Sequence, residues 1–176
     1  LINNLAGVLG EQGKLEEADQ YYRETLDRRR MVLGDDHPST LVAVNNMGIQ
    51  LQRRGKYALA EPYYREALEK RRKVLGEEHL DTVTSLNNMG FILQAEGQLA
   101  AAEPYFREAL DKRRRLLGED HLVTVASISN MGGLLRSQAR LDEAEPYLRK
   151  ALEVYRRMLG NDHLSTILAI RNVGAN

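Results

Sequence analysis

Apolar residues recur at helical spacing in two successive segments, and the pair of segments then repeats along the chain. In residues 38–54, PSTLVAVNNMGIQLQRR, the apolar positions Leu41, Val44, Met47 and Leu51 lie three or four apart. That spacing gathers side chains on one face of an α-helix. In residues 57–75, YALAEPYYREALEKRRKVL, a broader apolar stripe runs through Leu59, Ala60, Tyr63, Tyr64, Ala67, Leu68 and Leu75. Pro38 suits a first helical turn, where a missing N–H costs little. Asp36 or His37 is the expected N-cap. Gly55 and Gly76 end the two segments, because glycine readily takes the left-handed conformation that follows a helix. Lys70 to Lys73 crowd the last turns of the second segment, where the helix dipole favours cations.

The same pattern predicts nine helices, near residues 1–12, 15–33, 38–54, 57–75, 80–96, 99–117, 122–138, 141–159 and 164–174. The period is explicit. Gly34, Gly76, Gly118 and Gly160 are 42 residues apart, as are His37, His79, His121 and His163. Thr40, Thr82, Thr124 and Thr166 keep the same spacing, as do Tyr21, Tyr63, Tyr105 and Tyr147. Asn4, Asn46, Asn88, Asn130 and Asn172 carry it across the whole chain. The chain therefore reads as one all-α array, with repeats at about 1–37, 38–79, 80–121 and 122–163 and a terminal helix at 164–176. One hairpin cannot bury its apolar stripe alone, whereas stacked hairpins share a continuous core.

Small residues mark where helices approach. Gly48 and Gly90 lie in first helices and Ala60 and Ala102 in second helices, with Tyr64 and Phe106 as the large partners that fill the space beside them. Pro62, Pro104 and Pro146 fall inside second helices, where each removes a backbone hydrogen bond and should bend the helix slightly.

Composition narrows the function. Lys+Arg and Asp+Glu both number 25, for a formal net charge of zero. A general nucleic-acid binder needs surplus positive charge to displace counterions, and an electrostatic membrane anchor needs basic clusters. Neither partner is expected. There is no cysteine, which removes disulfides, thiolate zinc sites and a cysteine nucleophile and fits a reducing, cytoplasmic compartment. No apolar run approaches the roughly 20 residues that span a bilayer. The sequence opens at Leu1, inside a repeat and without a leader, as a piece of a longer protein would.

The block NNMGIQLQRRGKYALAEPYYREALEKRRKVLGEEH resembles the 42-residue tetratricopeptide repeats of kinesin light chains. It is also similar to the repeat arrays attached to nucleotide-binding signalling ATPases of bacteria and fungi. Gly48, Gly55, Ala60, Tyr64 and Ala67 stand at the family's small, turn and aromatic positions. The resemblance implies a right-handed α-solenoid, a superhelix of helix-turn-helix repeats whose first helices line the concave surface. Pro follows the loop histidine only at Pro38, and the fourth copy departs most, with Ala139 for glycine, Leu148 for the aromatic and Ser129 for the first asparagine.

Several clusters invite chemical readings. Four histidines in register could bind metal, but successive repeats place them roughly 10 Å apart and no copy supplies a tetrahedral set. A structural role is expected, with imidazole bonding backbone in the loops. The acidic pairs Asp35-Asp36, Glu77-Glu78 and Glu119-Asp120 precede helix N-termini, where negative charge is favourable, and read as caps. The basic runs Arg28 to Arg30, Arg71 to Lys73 and Arg113 to Arg115 read as a solvated, salt-bridged edge. No cofactor or catalytic set is evident, so the chain does not read as an enzyme.

The asparagines carry the functional reading. An amide offers both donors and an acceptor, so a row of them can pair with the backbone of an extended peptide of any sequence. The resemblance places Asn4, Asn46, Asn88 and Asn130 at the concave groove, with Asn45 and Asn87 beside them. Their other role, bonding helices within the stack, is compatible with the first. Ile49, Gln52, Arg53, Phe91, Gln94 and Arg136 complete the expected lining and favour a ligand of mixed polarity. The tetratricopeptide carboxylate clamp for chaperone tails is missing, because its positions hold Asn45, Ile49, Ala126 and Asn130. The expected function is a scaffold that binds a peptide or partner protein. A peptide-sensing regulatory module, and a self-assembling array in head-to-tail contact, are the alternatives.

Overall fold

The computed structural model describes residues 7–10 and 12–174. All regular structure among the described residues is helical. Residues 7–10 are helical and Gln12 lies in the turn that follows; residues 1–6 and 11 of the first expected helix lie outside the described residues. Eight helices follow: α1 (Leu15–Leu33), α2 (Pro38–Arg53), α3 (Tyr57–Leu75), α4 (Leu80–Ala95), α5 (Leu99–Leu117), α6 (Leu122–Ser137), α7 (Leu141–Leu159) and α8 (Leu164–Gly174). They match the expected spans to within one residue. The chain divides into two compact units, Leu1–Glu96 and Gly97–Asn176.

In the first unit α2 packs against both α1 and α3, and α3 packs against α4. The core of this unit contains Tyr22, Leu26, Leu41, Val44, Met47, Ala60, Tyr64, Leu68, Leu86 and Met89. Tyr64 lies against Gly48, where a Cβ would come within 2.8 Å of the Tyr64 ring. Glycine is therefore what lets α2 and α3 approach. Leu59 was expected on the buried stripe but is 58% exposed. It sits about 100° round the helix from Ala60, off the face that meets α2.

In the second unit α6 packs against α5 and α7, and α7 against α8. Phe106, Leu110, Ile128, Met131, Leu134, Leu148 and Val154 are buried there. Gly132 repeats the close approach, with Leu148 in place of the aromatic and 2.7 Å from the position a Cβ would take.

The turns within the hairpins share one geometry. After α2, the Gly55 N–H donates to the Gln52 carbonyl and the Lys56 N–H to the Leu51 carbonyl, with Gly55 at φ 68°. After α6 the same bonds run from Ala139 to Arg136 and from Arg140 to Leu135. There Ala139 is forced to φ 59°, a left-handed conformation in which its Cβ is crowded.

The loop histidines are the N-caps of the first helices. Nδ1 of His37, His79, His121 and His163 accepts from the backbone N–H of Ser39, Asp81, Val123 and Ser165, at 3.1, 3.1, 3.2 and 3.1 Å. This is the structural role expected of them. It also corrects the reading of the acidic pairs, whose members form ion pairs instead of caps. Asp35 lies 3.2 Å from Arg30, Glu77 3.2 Å from Arg72 and Glu119 2.7 Å from Arg114. Asp120 pairs with Lys150 at 3.1 Å and also with Arg157.

Candidate functional site

The first helices α2 and α4 each leave one strip uncovered. On α2 it runs through Val42, Asn46, Ile49 and Arg53, and on α4 through Thr84, Asn88, Phe91 and Ala95, all exposed or half-buried. These positions are three or four apart, so each set lies along one helix face. The opposite faces of α2 and α4 are committed to the core through Leu41, Val44 and Met47, and through Val83, Leu86 and Met89.

The two members of each asparagine doublet differ in burial. Asn45 and Asn87 are buried, while Asn46 and Asn88 are half-buried on the open strips. Asn88 Nδ2 donates to Asn45 Oδ1 at 2.8 Å. One amide of each doublet thus belongs to the helix–helix interface. Asn88 reaches that interface from the open strip, and it keeps further hydrogen-bonding capacity on the strip. Asn4 lies outside the described residues.

Apolar surface adjoins the amides. Phe91 is 39% exposed and Ile49 is half-buried, in register on neighbouring first helices. Gln52 is engaged within its hairpin, where its Oε1 accepts from the Tyr64 hydroxyl at 2.6 Å. Burial raises the Tyr64 phenol above its usual range, against a smaller opposing effect of the Arg53 charge. Arg53 is exposed and Gln94 half-buried.

In the second unit Asn130 is half-buried on the strip of α6, with Val123, Ala126 and Gly133. Arg136 is half-buried and already engaged. Its Nη1 donates to the Asn172 carbonyl at 2.9 Å and its Nη2 to Asn172 Oδ1 at 3.3 Å, which ties α6 to α8.

The basic runs are only partly a solvated edge. Arg71 and Arg113 are buried. Arg71 Nη1 donates to Ser85 Oγ at 2.8 Å and to the Asp81 carbonyl at 3.1 Å. Arg113 Nη1 donates to Ser127 Oγ at 2.6 Å. Burial lowers the pKa of both guanidinium groups, which nevertheless stay charged at neutral pH. Each locks the last turns of a second helix to the next first helix. The signal was in the sequence: Arg71 follows Ala67 by four and Leu68 by three, so it falls on the buried stripe. Arg30, in the first basic run, is salt-bridged as expected, donating from Nη2 to both carboxylate oxygens of Glu66 at 2.9 Å.

Among the described residues no group of three or more His, Asp or Glu side chains is placed to hold a metal ion. No described helix is long and apolar enough to cross a membrane.

A tetratricopeptide-repeat profile matches residues 40–115, 81–157 and 124–176, and a second profile with the same description matches residues 1–39. The chain belongs to the tetratricopeptide repeat family. No curated protein sequence matches it. Solved structures do. BtubC (BKLC) from P. vanneervenii superposes with a TM-score of 0.86 at 25% identity, over 99% of this chain and 69% of that one. A Podosopora anserina protein assigned as a kinesin light chain, with nearly identical TPR-like repeats, gives 0.83 at 19% identity, over 98% and 82%. A single-substitution variant of that protein gives 0.84 at 18% identity, over 98% and 81%. The all-α solenoid of tetratricopeptide repeats expected from the sequence is therefore correct.

Proposed function

We propose that this tetratricopeptide array is a non-catalytic scaffold that binds an extended peptide, or such a segment of a partner protein, along the open strips of its first helices. The observation that carries this reading is the composition of the strips on α2 and α4. Half-buried amides at Asn46 and Asn88 lie on the same helix faces as apolar surface at Ile49 and Phe91. Amides can hold the backbone of a ligand while apolar contacts select among its side chains. Arg53, Gln94 and Asn130 belong to the same reading. Asn45, Asn87, Gln52 and Arg136 support the strips from beneath or beside them. A cytoplasmic setting, with no membrane or nucleic-acid partner, goes with it and rests on the balanced charge and the lack of cysteine.

Peptide arrays probed with the purified chain test the proposal. Extended peptides with an apolar side chain should be retained, and an Asn46→Ala, Phe91→Ala chain should lose them while keeping its helix content. Retention that is indifferent to both substitutions would move the site elsewhere. Head-to-tail self-association has one observation in its favour, the exposed Ile167, Leu168 and Ile170 of α8.

A further inference from the structure

One charge is reversed between two equivalent junctions of the array. Where α1, α2 and α3 meet, Glu66 of α3 bridges two cations. Arg30 Nη2 donates to both of its carboxylate oxygens at 2.9 Å, and Lys70 Nζ donates to Oε1 at 2.9 Å. Two periods on, where α5, α6 and α7 meet, the counterpart of Arg30 is Arg114 and the counterpart of Glu66 is Lys150. Val154, which is buried, stands in register with Lys70. The loop acids do not restore the balance. At the first junction Asp35, Asp36 and Glu66 face Arg30, Lys70 and Lys73, three against three. At the second Glu119 and Asp120 face Arg114, Lys150 and Arg157, two against three. Asp111 and Glu153, each 4.0 Å from one of these arginines, have Asp27 and Glu69 as counterparts and leave the difference unchanged. The second junction is short of one carboxylate.

Arg114 and Lys150 rim a pocket of about 290 Å³ whose other walls are Ile128, Pro146 and Tyr147. Ile128, 1% exposed, forms its base. Ile128 lies two residues before Asn130, about 200° round α6, so the pocket sits away from the open strip of that helix. We propose that this pocket binds an acidic peptide segment. One apolar side chain of the ligand packs against Ile128, Pro146 and Tyr147, and an adjacent Asp or Glu meets Arg114 and Lys150. The ligand's carboxylate takes the part that Glu66 plays in the first unit. The volume is near the small end of ligand sites, enough for one side chain and its neighbour. Arg114 and Lys150 are half-buried, and charges so placed are screened by salt less than fully exposed ones.

The test titrates the full chain by calorimetry with the peptide acetyl-Gly-Ser-Leu-Glu-Ser-Gly-amide. One peptide should bind per chain. Replacing the peptide's Glu by Gln, or Lys150→Gln in the chain, should each weaken binding about fivefold, as for loss of a partly exposed ion pair. Lys150→Glu rebuilds the bridge to Arg114 from within the chain. It should weaken binding by about tenfold or more without lowering Tm. The Asn46→Ala, Phe91→Ala chain should bind this peptide unchanged, which separates the pocket from the strips on α2 and α4. The proposal is overturned if the peptide does not bind at millimolar concentration, or if its Glu and Gln forms bind alike. It is also overturned if Lys150→Glu, with helix content unchanged, binds as the parent does. Binding of acetate alone as tight as that of the peptide would overturn it too, since the apolar walls would then contribute nothing.

Discussion

Asn88 on α4 donates its amide hydrogen to Asn45 on α2 across 2.8 Å, joining consecutive first helices through residues 43 positions apart. Asn45 is buried, so its oxygen depends on this donor. Asn88→Ala should therefore cost roughly 1–3 kcal/mol, the range for a buried polar group left unsatisfied. Asn45→Ala should cost about as much, and the double variant less than the sum, since the second change removes a group already unpaired. Urea midpoints of the three variants check this. Strict additivity would mean that the bond contributes nothing.

The Tyr64 ring packs directly against Gly48. Tyr64→Ala removes a buried ring and should cost about 3–5 kcal/mol, as should Phe106→Ala in the second unit. Gly48→Ala drives a methyl into the Tyr64 ring and should cost about 1–3 kcal/mol. If Gly48→Ala left the urea midpoint unmoved, the close approach of α2 and α3 would be wrong.

Ala139 holds the left-handed turn position that glycine fills at Gly13, Gly55 and Gly97. Ala139→Gly relieves the crowding of a Cβ at positive φ, against the greater chain entropy of glycine in the unfolded state. A net gain of about 0.5–1 kcal/mol in urea denaturation is expected. A loss would show that the turn tolerates alanine without strain.

Glu66 makes part of the first unit's stability pH-dependent. Burial raises its carboxyl pKa, but the hydrogen bonds and charges of Lys70 and Arg30 outweigh burial and hold it below the usual carboxylate range. The folded state therefore binds this proton more weakly than the unfolded chain, whose carboxyl titrates near about 4.3. The stabilisation is present above that value and is lost as pH falls through the lower folded pKa. Glu66→Gln should be less stable than the parent at pH 7, and the gap should close below about pH 4. A gap that stays constant from pH 7 to 3 would show that the charge is irrelevant.

What was legible in the sequence follows from periodicity. A 42-residue register with apolar positions three and four apart fixes both helices of each hairpin, and Gly48 with Tyr64 fixes how they meet. The histidine caps were legible because each histidine immediately precedes the start of a first helix. Neighbour identity across helices was not legible. Asn45 and Asn46 are adjacent in the chain, and only the docked α4 decides which is buried. Arg71 and Arg113 were read with their basic neighbours, although their positions on the stripe aim them inward. The acidic pairs went the same way: their position before a helix start suits capping, but arginine in the preceding turn is closer. Leu59 shows the converse error, an apolar residue counted as core though its angle on α3 points away from α2.

The central claim is that the strips on α2 and α4 hold the ligand. The most direct measurement is the affinity of one array-selected peptide, by calorimetry, for the parent chain and for an Asn46→Ala, Phe91→Ala variant of unchanged helix content. The account predicts a loss of well over tenfold, from about 1 kcal/mol for a lost hydrogen bond plus the apolar contact surrendered at Phe91. Equal affinity of the two chains would contradict it.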